Sequence, residues 1–305
     1  MGAIVEEIRR GGVGDNPLTA EDEYALTGAL HLVERFFLDP HYGRATPQAP
    51  LLLMLSLNEP HYPYATPRAD LVDHYLDRVE PFDEEAFDHP FLGGRFRARI
   101  GREVTEAEAR RATAAYCAMI ETMDARVGRL LEALESAGQD LSEWVVMYTS
   151  DHGEMLGQHG VWEKQKFFEA SVGVPLLLAA PGLAAGASVE GNVSTVDTFA
   201  TLTELAGIPC PAGLDSRSLV PLARGEAATL PGDEVLSQFD LTNLMIKRGA
   251  LKYQWYAPAD DRETAPEVTF DLAVDPGETR DVTADPTYAD QVAQLRARRQ
   301  ELGFG

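Results

Sequence analysis

The chain has 305 residues, and its 49 acidic and 26 basic residues give a formal net charge of −23. Because no run of basic residues interrupts this negative charge, nucleic acid and anionic membrane surfaces are poor partners. Cys117 and Cys210 are the two cysteines, which excludes a disulfide framework and a thiolate zinc site. No apolar run is as long as a membrane helix, and the first residues contain no secretory signal. The default expectation is a cytoplasmic protein.

The basic residues are mostly arginine. Only Lys164, Lys166, Lys247 and Lys252 are lysines. Such a bias is consistent with genome composition or a salty habitat, and it supports no functional prediction by itself.

The N-terminal half predicts two long helices separated by a strand and a long loop. Residues 20–38 have an apolar face, and Thr19 with Asp22 predicts a capping box at the start of this first helix. The stretch "PLLLMLSLNEPHYPY" (50–64) is typical of a buried parallel strand that ends in a loop containing prolines. Residues 60–102 are predicted to be irregular, and loops of this length are usually functional. Thr105 and Glu108 predict a capping box for a second helix, 105–137, which Gly138 ends.

The following segment alternates apolar strands with helices. "WVVMYT" (144–149) and "VPLLLAAPG" (174–182) are the predicted strands, with a short helix at 164–170 between them and a longer helix at 196–207. This alternation indicates an α/β domain with a mainly parallel sheet sandwiched by helices.

The character of the sequence changes after residue 230. "EVLSQFD", "ALKYQWYA" and "EVTFDL" predict short antiparallel strands, and residues 288–302 predict a terminal helix. We therefore expect a catalytic α/β domain at 1–230 and a small antiparallel subdomain at 231–305.

Asp151, His152 and Gly153 follow the strand "WVVMYT" after one residue, Ser150. In parallel α/β sheets, ligands bind beyond the carboxyl ends of the strands. A carboxylate and an imidazole supply half of a divalent-metal shell, provided that Gly153 allows a turn that brings them together. The histidine keeps manganese, zinc and other transition ions as candidates beside calcium. An ordinary surface turn with a capping aspartate is the simpler alternative.

Two further residues fit the same chemistry. Lys164 lies thirteen positions after Asp151 and could place an ammonium beside a metal-bound anion. His61, between Pro60 and Pro63, follows the earlier predicted strand and is suited to proton transfer. A metal, a lysine and a histidine at one sheet edge predict hydrolysis of a tetrahedral oxyanion ester, although metal-assisted hydrolysis of other bonds fits the same residues. Considered alone, a lysine such as Lys164 is more often solvated than catalytic, and a histidine such as His61 is more often structural than catalytic.

A longer stretch, "TSDHGEMLGQHGVWEKQKFFEASVGVPLLLAAPG" (149–182), resembles a signature block of the type I sulfatases and the related phosphonate monoester hydrolases of the alkaline phosphatase superfamily. "LSLNEPHYPY", "VSTVDTFATLTELAGIPCP", "LDSRSLVPLARGE" and "TFDLAVDPGETRDVTADP" resemble further blocks in family order. The "DHG" form is similar to that of choline sulfatase-like and phosphonate hydrolase-like members.

The resemblance implies roles for four residues and a divalent metal, Ca²⁺ or Mn²⁺. Asp151 and His152 would bind the metal, Lys164 would contact the sulfate, and His61 would contact the sulfate or protonate the leaving group. An arginine that often precedes the "VP" strand is replaced here by Gly173. The implied partner is a small-molecule sulfate or phosphonate ester.

The family's nucleophile has no counterpart in this sequence. Members carry a Cys-x-Pro-x-Arg or Ser-x-Pro-x-Arg block whose first residue becomes formylglycine, and neither cysteine and none of the serines here has that context. We therefore expect that an N-terminal part of the usual domain, which would also hold any export signal, is missing. Without the nucleophile and the neighbouring strands, we expect the chain alone to be inactive and poorly soluble, with exposed apolar faces.

Three hypotheses remain open at this stage. The chain is an incomplete sulfuric ester hydrolase, a phosphonate or phosphate ester hydrolase of the same superfamily, or a non-catalytic remnant or subunit. Substrate specificity is expected in the 60–102 loop and the C-terminal subdomain. Trp255 and Tyr256 of that subdomain are expected to be core residues more readily than pocket residues.

Overall fold

The computed structural model describes residues 3–39, 51–82, 98–164, 166–257 and 267–304. These residues form two compact units. The first contains 3–39, 51–82, 98–142 and 155–163, and the second contains 143–154, 164, 166–257 and 267–304. The sequence-based division into 1–230 and 231–305 stays a prediction.

Helices dominate the described part of the first unit. They are α1 (Ala3–Arg9), α2 (Pro17–Val33), α3 (Ala69–Leu76) and α4 (Glu106–Ser136), with a π-helical turn at Glu34–Leu38 and a 3-10 turn at Gln158–Gly160. Ile4 and Ile8 of α1 pack against Tyr64 and Trp162, and these four side chains are at most 1% exposed. Burial of these large apolar groups is the main stabilising contribution to this unit.

The start of α2 differs from its prediction. Asn16, not Thr19, is the N-cap, and its side chain accepts a hydrogen bond from the Leu18 backbone N–H. Asn16 is a strong capping residue, and Pro17 in the first turn favours the earlier start. The predicted capping box of Thr19 and Asp22 is therefore wrong, and both side chains bind the 58–59 loop instead.

Helix α4 begins as predicted. Thr105 accepts from the Glu108 backbone N–H at 3.2 Å, and the Glu108 carboxylate accepts from the Thr105 backbone N–H at 2.7 Å. Gly138 follows the helix with a φ of +78°. Alanines on one face of α4, including Ala114, Ala115 and Ala118, allow Leu71 and Val72 of α3 to pack closely.

The predicted irregular loop at 60–102 is only partly irregular. It contains α3 and strand β2 (Ala65–Thr66). Strand β2 pairs in parallel with β1 (Gly12–Val13). Residues 83–97 of this loop lie outside the described residues.

The segment 51–57, predicted as a parallel strand, pairs with no other strand among the described residues. Its side chains alternate in burial, with Leu52 81% exposed and Met54 83% exposed. These exposed side chains agree with the apolar surface that the sequence predicted.

The second unit begins with two strands that pair in antiparallel fashion, β3 (Val146–Thr149) and β4 (Leu176–Ala179). Mainly parallel pairing therefore does not hold for the strands that are described. A parallel pair needs a long crossover, usually a helix, whereas the one α-helix assigned between β3 and β4 in the described residues is the single turn α5 (Glu169–Val172). Leu177 of β4 is 64% exposed, so this unit also has a large apolar side chain at its surface.

Helices α6 (Thr198–Leu205) and α7 (Val220–Ala223) follow in this unit, with 3-10 turns at Thr195–Asp197, Pro231–Asp233 and Pro286–Tyr288. A further 3-10 turn, Leu141–Glu143, lies where the chain passes from the first unit to the second. Gly207, with a φ of +68°, follows α6 as predicted.

The predicted antiparallel C-terminal subdomain is present as a four-stranded sheet in the order β5-β6-β7-β8. Its strands are β5 (Glu234–Phe239), β6 (Asn243–Arg248), β7 (Leu251–Trp255) and β8 (Glu267–Asp271), and α8 (Ala289–Glu301) follows. The sequence reading missed β6. Trp255 and Tyr256 are 4% and 3% exposed, so both are core residues as expected. Within the described residues, no helix is both long and apolar enough to cross a membrane.

Candidate active site

The turn after β3 brings a carboxylate and an imidazole together. The His152 backbone N–H donates to Asp151 Oδ1 at 2.9 Å, and Ser150 Oγ donates to the His152 carbonyl oxygen at 2.9 Å. His152 Nδ1 lies 2.8 Å from the Gly153 carbonyl oxygen. Because a carbonyl only accepts, Nδ1 is the donor in this contact, and Nε2 is the ring nitrogen that could bind a metal. Nε2 lies 3.6 Å from Asp151 Oδ2, so two potential metal-ligand atoms are neighbours.

Gly153 is required in this turn because other backbone atoms approach it closely. A Cβ at this position would lie 2.1 Å from the carbonyl oxygen of Ala170. The Gly153 backbone N–H donates to the Ser171 carbonyl oxygen at 2.7 Å. Gly153 is not among the residues with positive φ, so contact with α5, and not special backbone freedom, explains the glycine.

A cavity of about 650 Å³ in the second unit connects the turn to the rest of the site. Asp151, His152 and Lys164 all line it. The antiparallel pairing explains part of this arrangement. It places the end of β3, where Asp151 and His152 follow, beside the start of β4. The segment that leads into β4 begins near Lys164. Three of the four predicted site residues thus share one cavity.

His61 belongs to the first unit, so its predicted convergence with the other three residues stays a prediction. Its Nδ1 lies 2.8 Å from the Tyr62 carbonyl oxygen, and its ring centroid lies 4.2 Å from that of Tyr62. The peptide bonds before Pro60 and Pro63 are both cis.

The loop before His61 is held by a buried ion cluster. Arg126 on α4, 2% exposed, donates to Glu59, whose side chain is fully buried. Asp22 accepts hydrogen bonds from the Asn58 and Glu59 backbone N–H groups at 2.7 and 2.9 Å. Thr19 Oγ1 donates to Glu59 at 2.5 Å. These contacts fix the start of the His61 loop on α2 and α4.

Sequence reasoning missed four charged residues that also line the cavity: Lys166, Glu169, Glu190 and Lys247. Glu169 Oε2 accepts from Lys247 Nζ at 3.1 Å, and Glu169 Oε1 accepts from Lys252 Nζ at 2.9 Å. Lys252 also lies 2.8 Å from Glu278, and both of these side chains are fully buried. The rarity of lysine in this chain was the signal that could have found Lys166 and Lys247.

Burial and charge compete in this cluster. Burial alone would raise the pKa of Glu169, but the ammonium groups of Lys252 and Lys247 outweigh it and lower that pKa. Burial dominates at Glu278, where the pKa is raised in spite of Lys252. Burial also lowers the pKa of Lys166. The lysines thus keep Glu169 ionised at the cavity wall.

The donor set fits part of a divalent-metal site. Within the described residues, no group of three or more His, Cys, Asp or Glu side chains could hold a metal ion. Asp151 and His152 offer one oxygen and one nitrogen, and Nδ1–H of His152 is bonded as in metal sites whose histidines are oriented by a carbonyl. These two residues can supply half of a shell.

The sequence profile of the sulfatase family matches residues 29–208 of this chain. The chain belongs to the sulfatase family. A second profile, the C-terminal part of N-sulphoglucosamine sulphohydrolase, matches residues 157–303 of this sulfatase family member.

Two curated relatives illustrate the similarity of this family member. It is 36% identical over 202 residues to a choline-sulfatase of Rhizobium meliloti, which covers 65% of this chain and 38% of the relative. It is 35% identical over 192 residues to arylsulfatase K of Rattus norvegicus, which covers 59% of this chain and 33% of the relative. The chain thus spans between a third and two fifths of the length of these relatives.

Solved structures support the fold of this family member. The phosphonate monoester hydrolase of Agrobacterium radiobacter matches with a TM-score of 0.71 and 24% identity, over 91% of this chain and 60% of that one. A putative sulfatase of Bacteroides thetaiotaomicron matches with a TM-score of 0.68 and 22% identity, over 95% of this chain and 64% of that one. The predicted α/β, alkaline phosphatase-like fold class is confirmed.

Proposed function

We propose that this chain provides the metal-binding and sulfate-binding part of a sulfuric ester hydrolase. The observation that carries the proposal is that Asp151, His152 and Lys164 line one cavity, which is large enough for a small-molecule ester. Membership of the sulfatase family, together with the similarity to a choline-sulfatase and to arylsulfatase K, supports sulfate as the reacting group.

The proposed mechanism assigns one task to each residue. The Asp151 carboxylate and His152 Nε2 would hold a divalent metal, either Ca²⁺ or Mn²⁺. Such an ion, when bound, supplies Lewis-acid polarisation of a sulfate oxygen. The Lys164 ammonium contacts a non-bridging oxygen and stabilises the negative charge that develops there. By the family resemblance, His61 would contact the sulfate or donate a proton to the departing alcohol oxygen.

The proposed mechanism assigns no residue of this chain as the nucleophile. Members of the family generally use formylglycine, and this sequence contains no Cys-x-Pro-x-Arg or Ser-x-Pro-x-Arg block from which it could form. The residues of this chain therefore support binding and charge stabilisation but no covalent step. We expect no metal-dependent turnover of an aryl sulfate by the chain alone, and clear turnover would contradict this expectation.

A phosphonate or phosphate ester is the second candidate substrate. Its support is the similarity to phosphonate monoester hydrolases, including the one from Silicibacter pomeroyi at 26% identity and a TM-score of 0.56. The same metal and lysine would bind either anion, because both present tetrahedral arrays of oxygens.

Calorimetric titration tests the metal and anion sites. The chain is titrated with MnCl₂ or CaCl₂ and then with phenyl sulfate or phenylphosphonate. We expect a dissociation constant for the metal on the order of 10⁻⁴–10⁻³ M, as for weak oxygen-rich sites. Asp151→Asn and His152→Ala should each weaken metal binding at least tenfold, whereas the exposed Asp290→Asn control should not change it. Unchanged metal binding in both site variants would refute the proposal.

A further inference from the structure

All four lysines of the chain lie in or behind the cavity wall of the second unit. Lys164, Lys166 and Lys247 line the cavity, and Lys252 is bound to Glu169, which lines it too. The other 22 of the 26 basic residues are arginines. Arginine and lysine differ physically, because an ammonium is a compact point charge and a guanidinium is a broad planar fork. Their placement therefore indicates a local requirement for ammonium groups, which composition alone did not reveal.

Two of these lysines are direct neighbours on the sheet. Lys247 of β6 and Lys252 of β7 are cross-strand partners, so their side chains share one face. Like charges in opposite positions repel each other and destabilise a sheet. Glu169 offsets this repulsion because each of its carboxylate oxygens binds one of the two ammonium groups, at 3.1 and 2.9 Å.

The two lysines are not equivalent, however. Lys252 is fully buried and also pairs with the buried Glu278, so its removal from Glu169 would leave buried charges uncompensated. The Lys247 side chain is 20% exposed and lines the cavity. If Lys247 turned toward an anion in the cavity, Glu169 would keep Lys252 as its partner. Lys247 can therefore change partners at low cost.

The wall around Lys247 is one face of the β5–β6 pair. The register places Val235 opposite Lys247 and Ser237 opposite Met245, and all four residues line the cavity. This face is apolar apart from the serine hydroxyl and the ammonium. It suits the organic part of an ester better than the sulfate itself, which the family resemblance assigns to Lys164.

We propose that Lys247 binds a second anionic group, carried on the alcohol part of the ester. The inference rests on the proposed function, because it assumes that the ester's sulfate is held at Lys164. It assigns the substrate to the class of esters with at least two negative charges. The overall charge of −23 makes a local cation valuable for such a ligand, since the rest of the surface repels anions.

The test compares two ligands that differ by one charge, phenyl sulfate and 4-carboxyphenyl sulfate, in the presence of MnCl₂. The wild-type chain should bind the carboxylated ester about tenfold more tightly, as expected for one added charge-assisted hydrogen bond. Lys247→Met should reduce this preference to about twofold or less. Arg248→Met is the control: it lies on the same strand, pairs with Glu234 and is absent from the cavity lining, so the preference should persist.

A second measurement needs no variant. A chain labelled with ¹⁵N-lysine gives only four side-chain signals, one for each of its four lysines. The Lys247 signal should shift on addition of the carboxylated ester and stay in place with phenyl sulfate, and the Lys164 signal should shift with both. A third titration, with phenylene 1,4-disulfate, shows whether a second sulfate shifts the Lys247 signal as a carboxylate does.

The outcomes separate this inference from the proposed function. If neither ester binds, the sulfate site itself is wrong and both proposals fail. If both esters bind with equal affinity, or if the preference survives in Lys247→Met, only the role of Lys247 is refuted. If the Lys247 signal responds equally to both esters, the residue contacts the sulfate and the second-anion role is likewise refuted.

Discussion

Replacing Arg126 with methionine should be among the most damaging single changes in the first unit. The arginine side chain is 2% exposed and lies beside Glu59 and Asp22, whose side chains are fully buried. Methionine preserves the unbranched stem and removes the charge. The variant therefore leaves two carboxylates buried near each other without their cation.

The magnitude follows from the burial of these partners. Removal of one member of a buried ion pair costs about 3–5 kcal/mol, because the remaining charge is uncompensated. Asp22 keeps two backbone N–H donors and Glu59 keeps the Thr19 hydroxyl, so both carboxylates retain some compensation. We expect a loss of about 3 kcal/mol in the free energy of unfolding, at the lower end of that range.

Urea denaturation of Arg126→Met measures this loss, and Arg129→Met is the matched control. Arg129 lies one turn later on α4 and pairs with Glu23, but both side chains are exposed, at 48% and 44%. Exposed pairs contribute about 0–1 kcal/mol, so the control should unfold nearly as the wild type does. If Arg126→Met is destabilised by less than about 1 kcal/mol, the buried cluster is not the anchor described above.

A double variant provides an independent check. Glu59→Gln in the Arg126→Met background removes one of the two buried charges that lack a cation, so it should recover part of the lost stability in the same urea titration at pH 7. A double variant no more stable than Arg126→Met would argue against this explanation.

Three further outcomes are expected. Gly153→Ala should lower the free energy of unfolding by about 1–3 kcal/mol, because the new Cβ would lie 2.1 Å from the Ala170 carbonyl oxygen. Gly128→Ala, with no atom within 4 Å of its Cβ, should instead raise stability by about 0.5–1 kcal/mol in thermal unfolding. A hydrogen bond from Arg99 lowers the pKa of Glu103 to about 2. The contribution of Glu103, which is small because solvent screens this half-buried pair, should therefore be present above pH 4.5 and disappear toward pH 2, and Glu103→Gln should remove it.

Local signals in the sequence predicted the helices better than the strands. The capping box of Thr105 and Glu108 and the glycine at 138 are contained within helix α4 and its flanks, and both were correctly interpreted. At α2, two capping signals competed, and the choice of Asn16 frees Thr19 and Asp22 to bind residues almost forty positions away. That outcome depends on tertiary contacts, which sequence spacing does not encode.

The strand pairing was harder to predict for the same reason. An apolar run such as "VPLLLAAPG" indicates a buried strand but not the direction of its neighbour. Its antiparallel pairing with β3 places Leu176 opposite Thr149 and Ala179 opposite Val146, a register that the apolar run does not encode. Strand β6 was missed because "NLMIKR" lacks clear alternation, and its register is fixed by β5 and β7 on either side.

The candidate site shows a similar division between local and distant information. The sequence could suggest Asp151 and His152 because they follow one strand, and Lys164 because of its spacing from Asp151 and the family resemblance. All three residues line one cavity. Lys247 could not, because it enters the cavity from a strand about eighty residues later in the chain. Its involvement follows from the packing of the C-terminal sheet against Glu169.

Residue type also carries information that depends on position. Arginine is the usual cation of this chain, so a lysine indicates a site where a guanidinium would not serve equally well. At Lys252 the reason is visible: a fully buried ammonium fits between Glu169 and Glu278, whereas a guanidinium has five donors to satisfy in the same closed space. At Lys164 and Lys247 the compact charge leaves room in the cavity for a ligand. The few lysines thus lie in or behind one wall of the cavity, the wall that we propose binds anions.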